Sequence, residues 1–283
     1  MPGQSLKDCF LLAGVMGWPI AQSRSPMLHN YWFKQHGLNG SYVPLAIKPE
    51  GIHEALRALP ALNFAGVNLT IPHKQTAMED MAEIDAVGRG IGAINLVVVR
   101  PDGSLFGTNT DAYGCIANIR QMQPEWRADA GPVVVIGAGG ASRTAIWALA
   151  DQGVREIRIV NRTHQRALTV AKDLGSPLKV FRWEERHDVL DGAALLVNAT
   201  NQGMIGQPPL DLKLDKLPKA AFVYDIVYNP IETPLIAAAR ARGHRVIPGL
   251  GMLLNQAPPA WKAWFGVEPQ VTPELRRLIE ATL

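Results

Sequence analysis

The chain has 283 residues, 47% hydrophobic and 19% charged, so it can bury one large core or two smaller ones. Its net charge of +3, with no long basic run, favours a small anionic ligand over nucleic acid. No apolar run approaches the roughly 18 residues that suggest a membrane span. Cys9 and Cys115 lack ligand or redox spacing, and the N-terminus lacks signal-peptide features. We therefore expect a cytoplasmic protein without disulfides and with no nucleic-acid or membrane partner.

The first third of the chain alternates predicted strands and helices. Short apolar runs predict strands at 10–16, 42–47 and 66–70. Ser25 and Pro26 form a helix start, with the serine as N-cap, and Gly37 marks the end of that helix. Helical spacing follows Pro49, and a turn at 101–103 closes a predicted hairpin. The short connections favour a mixed open sheet with covering helices.

The segment GVNLTIPHK at 66–74 joins a strand pattern to a cluster of polar groups. Asn68 and Thr70 are two residues apart, so on a strand both side chains point to one face. Pro72 lacks the N–H that a sheet ladder needs and therefore ends the strand. Lys74 then begins a predicted helix at 74–84. Most lysines are solvated surface residues, but α/β proteins place their chemistry at strand ends, so Lys74 is a candidate to act on a substrate.

The middle third has the pattern of a nucleotide-binding fold. An apolar run at 132–136 leads into a glycine-rich turn and then a helix, and this context distinguishes a binding site from an ordinary turn. The glycines let backbone N–H groups approach a pyrophosphate at the helix N-terminus. Ser142 stands where the pattern has Gly or Ala and predicts slightly looser packing of helix on strand. The predicted cofactor contacts are Gly137, Ala138, Gly139, Gly140 and Ala141.

The end of the next strand, at 157–160, predicts which cofactor binds. NAD-preferring sites carry an acid there for the ribose 2′-hydroxyl, whereas Glu156 begins the strand and lies at its other end. Arg162 and Arg166, one helical turn apart, could instead bind a 2′-phosphate between them. Solvated arginines are the alternative, but a helix N-terminus disfavours cations without a phosphate partner. We therefore predict NADP(H), with contacts from Asn161, Arg162, Thr163 and Arg166.

Further strands are predicted at 194–198 and 222–227, and their alternation with helices favours a right-handed parallel sheet. Polar loops at 198–204 and 228–230 follow these strands at the same edge. A cofactor ribose or nicotinamide could rest there, although each loop read alone is only a polar turn.

Taken together, these segments resemble the shikimate dehydrogenase family from about Gly14 to the C-terminus. Any one motif is weak, whereas the ordered set is highly specific. Besides the glycine turn, the matching motifs are GWPIAQSRSP at 17–26, NLTIPHK at 68–74, GAIN at 92–95, NTD at 109–111, NRT at 161–163, YNP at 228–230 and GLGMLLNQ at 249–256.

The resemblance implies an enzyme that reduces 3-dehydroshikimate to shikimate with NADPH, in the pathway to aromatic amino acids. It implies an α/β chain of two domains. A mixed-sheet substrate domain would comprise 1–110 plus 249–283, with C-terminal helices returning to it, and a Rossmann-like NADP-binding domain would comprise 111–248. The active site would lie in a cleft whose closure brings nicotinamide to substrate.

The resemblance also implies residue roles. Lys74 and Asp111 match the catalytic pair, in which a lysine stabilises and protonates the developing alkoxide and an aspartate holds the ammonium. Ser25 and Asp111 have a structural alternative, since each stands where a helix cap is expected. Further cofactor contacts are assigned to Ile226 and Gly249. The residues that match substrate ligands are Ser23 and Ser25 for the carboxylate, and Asn68, Thr70, Asn95, Tyr228 and Gln256.

Departures from the family pattern leave alternatives open. Leu96, Ala112, Asn201 and the pair Pro258-Pro259 differ from the family's usual residues without removing a catalytic group. They could alter domain closure, cofactor affinity or tolerance for quinate. The alternatives are therefore a quinate/shikimate dehydrogenase paralogue, or a non-catalytic shikimate- or nucleotide-sensing protein; a folate-linked dehydrogenase is disfavoured by the Ser23/Ser25 pair. We expect no metal site, a small-molecule substrate, and a monomer or homodimer.

Overall fold

The computed structural model describes residues 9–175 and 177–283. Its backbone contacts divide the chain into two units. Unit 1 contains the described residues up to Thr110 together with Gln256–Thr282, and unit 2 contains Asp111–Asn255 and the terminal Leu283. In the part of the chain that the structure describes, no helix combines the length and apolar character needed to cross a bilayer.

Unit 1 is built on a mixed six-stranded sheet in the order β2-β1-β3-β5-β6-β4. Parallel pairs join β1 to β2 and β3, and antiparallel pairs join β5 to β3 and β6. The predicted strands and hairpin are therefore confirmed. The elements are β1 (Leu11–Gly17), α1 (Ser25–Gln35), β2 (Gly40–Ala46), α2 (Ile52–Ala58), β3 (Gly66–Leu69), β4 (Glu83–Ile84), α3 (Ala86–Ile91), β5 (Leu96–Val99) and β6 (Leu105–Thr108).

Two local predictions in unit 1 are wrong. The predicted helix at 74–84 is instead a 3-10 helix, Thr76–Asp80, followed by the short strand β4. This strand pairs with β6, so tertiary pairing overrides the local helical spacing. Ser25 is the first residue of α1 rather than its cap; Arg24 holds the cap position and makes no side-chain capping bond.

Unit 2 is a doubly wound fold around a parallel six-stranded sheet. Its order, β12-β11-β10-β7-β8-β9, is that of dinucleotide-binding folds, with the change of direction between β7 and β10. The predicted Rossmann-like architecture is confirmed. The elements are α4 (Asp111–Met122), β7 (Val133–Ile136), α5 (Gly140–Asp151), β8 (Ile157–Val160), α6 (His164–Leu174), β9 (Leu178–Phe181), β10 (Leu195–Asn198), β11 (Phe222–Asp225), α7 (Pro234–Ala241) and β12 (Arg245–Pro248).

The C-terminal helices α8 (Leu250–Phe265) and α9 (Pro273–Glu280) complete the chain. The second part of α8 belongs to unit 1, where Trp261 packs against Trp32 with ring centroids 5.7 Å apart. Trp264 donates its indole N–H to the Val97 carbonyl at 2.9 Å. The return of the C-terminus to the first domain is thus present, and the units divide within α8 rather than at 249.

Candidate active site

The start of α1 presents two serine hydroxyls. Ser25 is buried with only 7% of its surface exposed, and its backbone N–H donates to Ser23 Oγ at 3.3 Å. Arg24, which stands between them in sequence, binds elsewhere, because its guanidinium donates to the Thr282 hydroxyl and carbonyl at 3.0 and 2.7 Å. Both serine side chains lie at a helix N-terminus, where backbone polarity favours an anion.

Asn68, at the end of β3, joins a buried hydrogen-bond network. Its Oδ1 accepts from the Tyr42 hydroxyl at 2.8 Å, and its Nδ2 donates to the Asn95 carbonyl at 3.0 Å. Burial raises the pKa of Tyr42 well above its ordinary value, against an opposing hydrogen bond with the Ser25 side chain. Tyr42 therefore connects Ser25, at the start of α1, to Asn68 on β3 through its hydroxyl group.

The network continues through Asn95 into the C-terminal segment. Asn95 Oδ1 accepts from the Thr110 N–H at 2.7 Å, and its Nδ2 donates to Gln256 Oε1 at 3.5 Å. The Thr110 hydroxyl also donates to Gln256 Oε1, at 3.3 Å. The structure thus brings three predicted substrate residues together, Asn68, Asn95 and Gln256. Sequence reasoning assigned no role to Tyr42 or Thr110, although Thr110 lies inside a matched motif.

The segment carrying Lys74 is fixed through its backbone. The Lys74 carbonyl accepts from the Ile94 N–H at 2.8 Å, and the Thr70 N–H donates to the Met16 carbonyl at 3.0 Å. Between them, the buried His73 ring donates from Nε2 to the Ile47 carbonyl at 2.8 Å. Burial lowers the pKa of His73, so its ring is neutral near pH 7. Lys74 and Thr70 are themselves partly exposed.

The glycine-rich turn of unit 2 fits a dinucleotide. Gly137 has a φ of +118°, and a Cβ there would lie 2.9 Å from the Ala199 carbonyl oxygen, so only glycine suits the position. At Gly139 a Cβ would meet nothing within 4 Å, which leaves the turn open on that side. Within the described residues, no acceptor is found for the amide N–H groups of Ala138, Gly140 and Ala141. These donors at the N-terminus of α5 are suited to a pyrophosphate.

Ser142 corrects the expectation of loose packing below this turn. Its side chain is fully buried, and its hydroxyl accepts from the Gly139 N–H at 3.3 Å. The same hydroxyl donates to the Ala199 carbonyl, also at 3.3 Å. The serine therefore ties the turn to the loop after β10 instead of leaving a gap.

The end of β8 carries cations and no acid. Arg162 and Arg166 are exposed, and in the described parts of the chain neither side chain has an ion-pair partner. Asn161 Nδ2 donates to the Thr163 carbonyl at 2.8 Å, which shapes the turn into α6. Glu156 lies at the opposite end of the strand, paired with Arg158 and Lys179 at 2.7 and 2.5 Å. This arrangement suits a 2′-phosphate and offers no carboxylate for a 2′-hydroxyl.

Asp225, at the end of β11, is a buried carboxylate that sequence reasoning missed. Its Oδ1 accepts from Asn198 Nδ2 at 2.9 Å and from the Val227 N–H at 3.1 Å, and its Oδ2 accepts from the Thr233 hydroxyl at 2.6 Å. Burial raises its pKa to about 6 despite these bonds. Asp225 therefore anchors the loops after β10 and β11 and the start of α7. No sequence periodicity signals an acid inside an apolar strand.

Replacing Asp225 by Asn should change how stability depends on pH. A carboxyl whose folded pKa is raised from 3.8 to about 6 favours folding at acid pH, and this contribution is lost as the pH rises through about 6. Asn stays neutral at every pH. The difference in free energy of unfolding between Asp225→Asn and wild type should therefore shift in favour of the variant as the pH rises from 4 to 7. Urea unfolding at pH steps measures this. The exposed Asp215→Asn is the matched control, and a difference that is constant with pH would contradict the expectation.

The remaining predicted residues lie in unit 2. Asp111 is the first residue of α4, and Tyr228 lies in the loop after β11; both are partly buried. Ile226 and Gly249 meet through their backbones, because a Cβ at Gly249 would lie 2.2 Å from the Ile226 carbonyl oxygen. Lys74 and Asp111 thus belong to different units. Residues 9–175 and 177–283 contain no cluster of three or more His, Cys, Asp or Glu side chains that could hold a metal.

Family models match most of the chain. Residues 15–97 match the shikimate dehydrogenase substrate binding domain, and residues 121–232 match shikimate / quinate 5-dehydrogenase. The first segment carries Tyr42, Asn68 and Asn95 of the unit 1 network, and the second carries the glycine turn of unit 2. The two matches follow each other in the order that the motifs predicted.

Individual proteins give the same assignment. A shikimate dehydrogenase (NADP(+)) from Paramagnetospirillum magneticum is 53% identical over 95% of this chain and 97% of its own. The structure of quinate dehydrogenase from Corynebacterium glutamicum in complex with NAD has a TM-score of 0.89 at 30% identity, covering 97% of this chain and 99% of that one. Shikimate 5-dehydrogenase from Thermus thermophilus, in complex with NADP(H) and shikimate, has a TM-score of 0.84 at 33% identity, covering 96% and 99%. The chain therefore belongs to the shikimate dehydrogenase family.

Proposed function

We propose that the protein catalyses the NADPH-dependent, reversible reduction of 3-dehydroshikimate to shikimate. The observation that carries the proposal is the buried network joining Tyr42, Asn68, Asn95 and Gln256 beside a partly exposed lysine segment. Such a set of amides and hydroxyls suits a small polyhydroxylated ring. The name of the 53% identical relative supports both the substrate and the cofactor.

The serine pair is assigned to the substrate carboxylate. Ser23 and Ser25 stand at the N-terminus of α1, where a carboxylate is favoured. Asn68, Thr70 and Asn95 are assigned to the ring oxygens, together with Gln256 from α8. Tyr228, in the loop after β11, is assigned to substrate binding through the family resemblance.

NADPH, when bound, supplies the hydride. As the carbonyl carbon accepts it, negative charge develops on the oxygen, and Lys74 is proposed to stabilise that charge and donate the proton. Asp111 is proposed to orient the ammonium and to hydrogen-bond a ring hydroxyl. Because the two residues belong to different units, the family resemblance carries this pairing.

The cofactor is proposed to lie along the carboxyl edge of the parallel sheet. Ala138, Gly140 and Ala141 would donate N–H groups to the pyrophosphate, with the glycines allowing close approach. Arg162 and Arg166 would bind the 2′-phosphate, with Asn161 and Thr163 shaping that turn. Ile226 and Gly249 would line the nicotinamide end, next to the loop that Asp225 anchors.

A steady-state comparison of shikimate and quinate, each with NADP and NAD, tests the proposed function. We expect the highest kcat/KM for shikimate with NADP. A quinate/shikimate paralogue is the second candidate, favoured by the likeness to quinate dehydrogenase in complex with NAD; it predicts comparable kcat/KM for both substrates. Ligand binding without turnover of any of the four combinations would instead indicate a sensing protein.

The state of the two cysteines bears on the cellular compartment of the protein. Both Cys9 and Cys115 are free thiols, with Cys115 buried, which suits a reducing compartment. We therefore propose a cytoplasmic location. A monomer or a homodimer remains our prediction for the oligomeric state, and sedimentation equilibrium would distinguish the two.

A further inference from the structure

Tyr42 contacts the buried polar network of unit 1, although it belongs to none of the motifs that predicted the substrate residues. It lies on β2 with 1% of its surface exposed, and its hydroxyl donates to Asn68 Oδ1 at 2.8 Å. The two residues are 26 positions apart in sequence, so only the fold brings them together. A phenol in this position can donate one proton, and Asn68 receives it.

The orientation of the Asn68 amide follows from its neighbours. The Asn95 backbone carbonyl can only accept, so the group facing it at 3.0 Å must be Nδ2. The oxygen Oδ1 therefore faces Tyr42, whose hydroxyl serves as the donor it needs. Both ends of the amide are fixed, and the second N–H of Nδ2 has no acceptor among the residues that the structure describes. Asn68 is thus set to donate to a ligand oxygen.

Tyr42 is itself held from two sides. Asn30 bonds both its backbone groups, donating to the Tyr42 carbonyl and accepting from its N–H at 2.9 Å each. The His29 ring stacks on the phenol with centroids 4.1 Å apart and planes 7° from parallel. His29 is fully buried, and burial lowers its pKa to about 3, so the stacked ring is neutral near pH 7. The phenol therefore has little freedom to turn away from Asn68.

We propose that Tyr42 is a positioning residue of unit 1. Its hydroxyl fixes the Asn68 amide so that one N–H is presented to the bound substrate. The inference rests on the proposed function. It assigns Tyr42 no contact with substrate. Without the hydroxyl, the buried Oδ1 loses its donor, and of these two bonds only the one to the Asn95 carbonyl still orients the amide.

Tyr42→Phe tests this, because it removes one oxygen and keeps the stacked ring. We expect the KM for shikimate to rise about tenfold, because the buried hydrogen bonds of the hydroxyl to Asn68 and Ser25 are lost. The KM for NADP should stay within twofold and kcat should fall less than the KM rises. Calorimetric titration with shikimate compares the affinities of wild type and Tyr42→Phe without turnover. The binding and the activity of the wild type test the proposed function, whereas the difference between the two proteins tests the role of Tyr42. An unchanged shikimate affinity in Tyr42→Phe would overturn the proposal.

Coupling to Asn68 separates positioning from a general structural role. Asn68→Ala should weaken shikimate binding, and adding Tyr42→Phe should weaken it by clearly less than Tyr42→Phe does alone, because the effect through Asn68 is already lost while only the bond to Ser25 remains. Additive effects would overturn the proposal. Replacing Tyr42 with 4-aminophenylalanine, which restores an N–H donor on the same ring, should recover most of the affinity. Tyr31→Phe is the matched control, since that exposed hydroxyl bonds Glu274 and should not affect binding.

Discussion

Replacing Lys74 by alanine should lower kcat by about a thousandfold or more while leaving NADPH affinity nearly unchanged. The side chain is assigned both the stabilisation of the alkoxide and the delivery of its proton, so both effects are lost together. Its backbone is fixed by the Ile94 bond and by the His73 anchor, and neither depends on the ammonium group. The fold should therefore survive the change. Stopped-flow reduction of 3-dehydroshikimate, with NADPH binding followed by fluorescence, measures the two quantities separately.

Lys74→Arg separates the two roles of the ammonium. Arginine keeps the positive charge but does not release a proton near neutral pH. It should therefore bind substrate better than the alanine variant and still turn over slowly. Lys34→Ala, at the exposed end of α1, is the matched control and should keep full activity. A Lys74→Ala enzyme that retains even a tenth of wild-type kcat would rule out the proposed role.

The sheets of both units could be predicted because their strands are short apolar runs. The runs at 133–136 and 195–198 are buried at every position, and their alternation with helices specifies the parallel order. The segment after Lys74 could not be predicted in the same way. Its apolar residues have helical spacing, but the pairing of Glu83 with Phe106 requires an extended backbone. Partners that are distant in sequence decided that conformation.

The candidate site could be predicted from the sequence only where its residues stand in contiguous motifs. Asn68, Asn95 and Gln256 were found through such motifs and lie in one network, although 161 positions separate the last two. Tyr42 and Asp225 were not predicted because each belongs to a short, mostly apolar strand. Their roles depend on which atoms face them across the fold. A sequence pattern records residue type and spacing, whereas these roles follow from burial and from partners on other strands.

Replacing Arg162 and Arg166 together by alanine should raise the KM for NADPH by about a hundredfold, and Arg162→Ala alone by about tenfold, with little change for NADH. Both side chains are exposed at the N-terminus of α6 and, in the described part of the chain, have no carboxylate partner. A phosphate would supply the missing negative charge. Initial rates with each cofactor at saturating substrate measure the effect.

Stability provides an independent readout for the same variants. Cations at a helix N-terminus oppose the helix dipole, so removing them should leave the thermal unfolding midpoint of the free enzyme unchanged or slightly higher. Arg155→Ala is the matched control, because Arg155 is also exposed but precedes β8 at its other end. It should change neither cofactor constant. An equal rise of the KM for NADPH and NADH in Arg162→Ala would mean that the arginine does not bind the 2′-phosphate, and the preference for NADP would then need another source within unit 2.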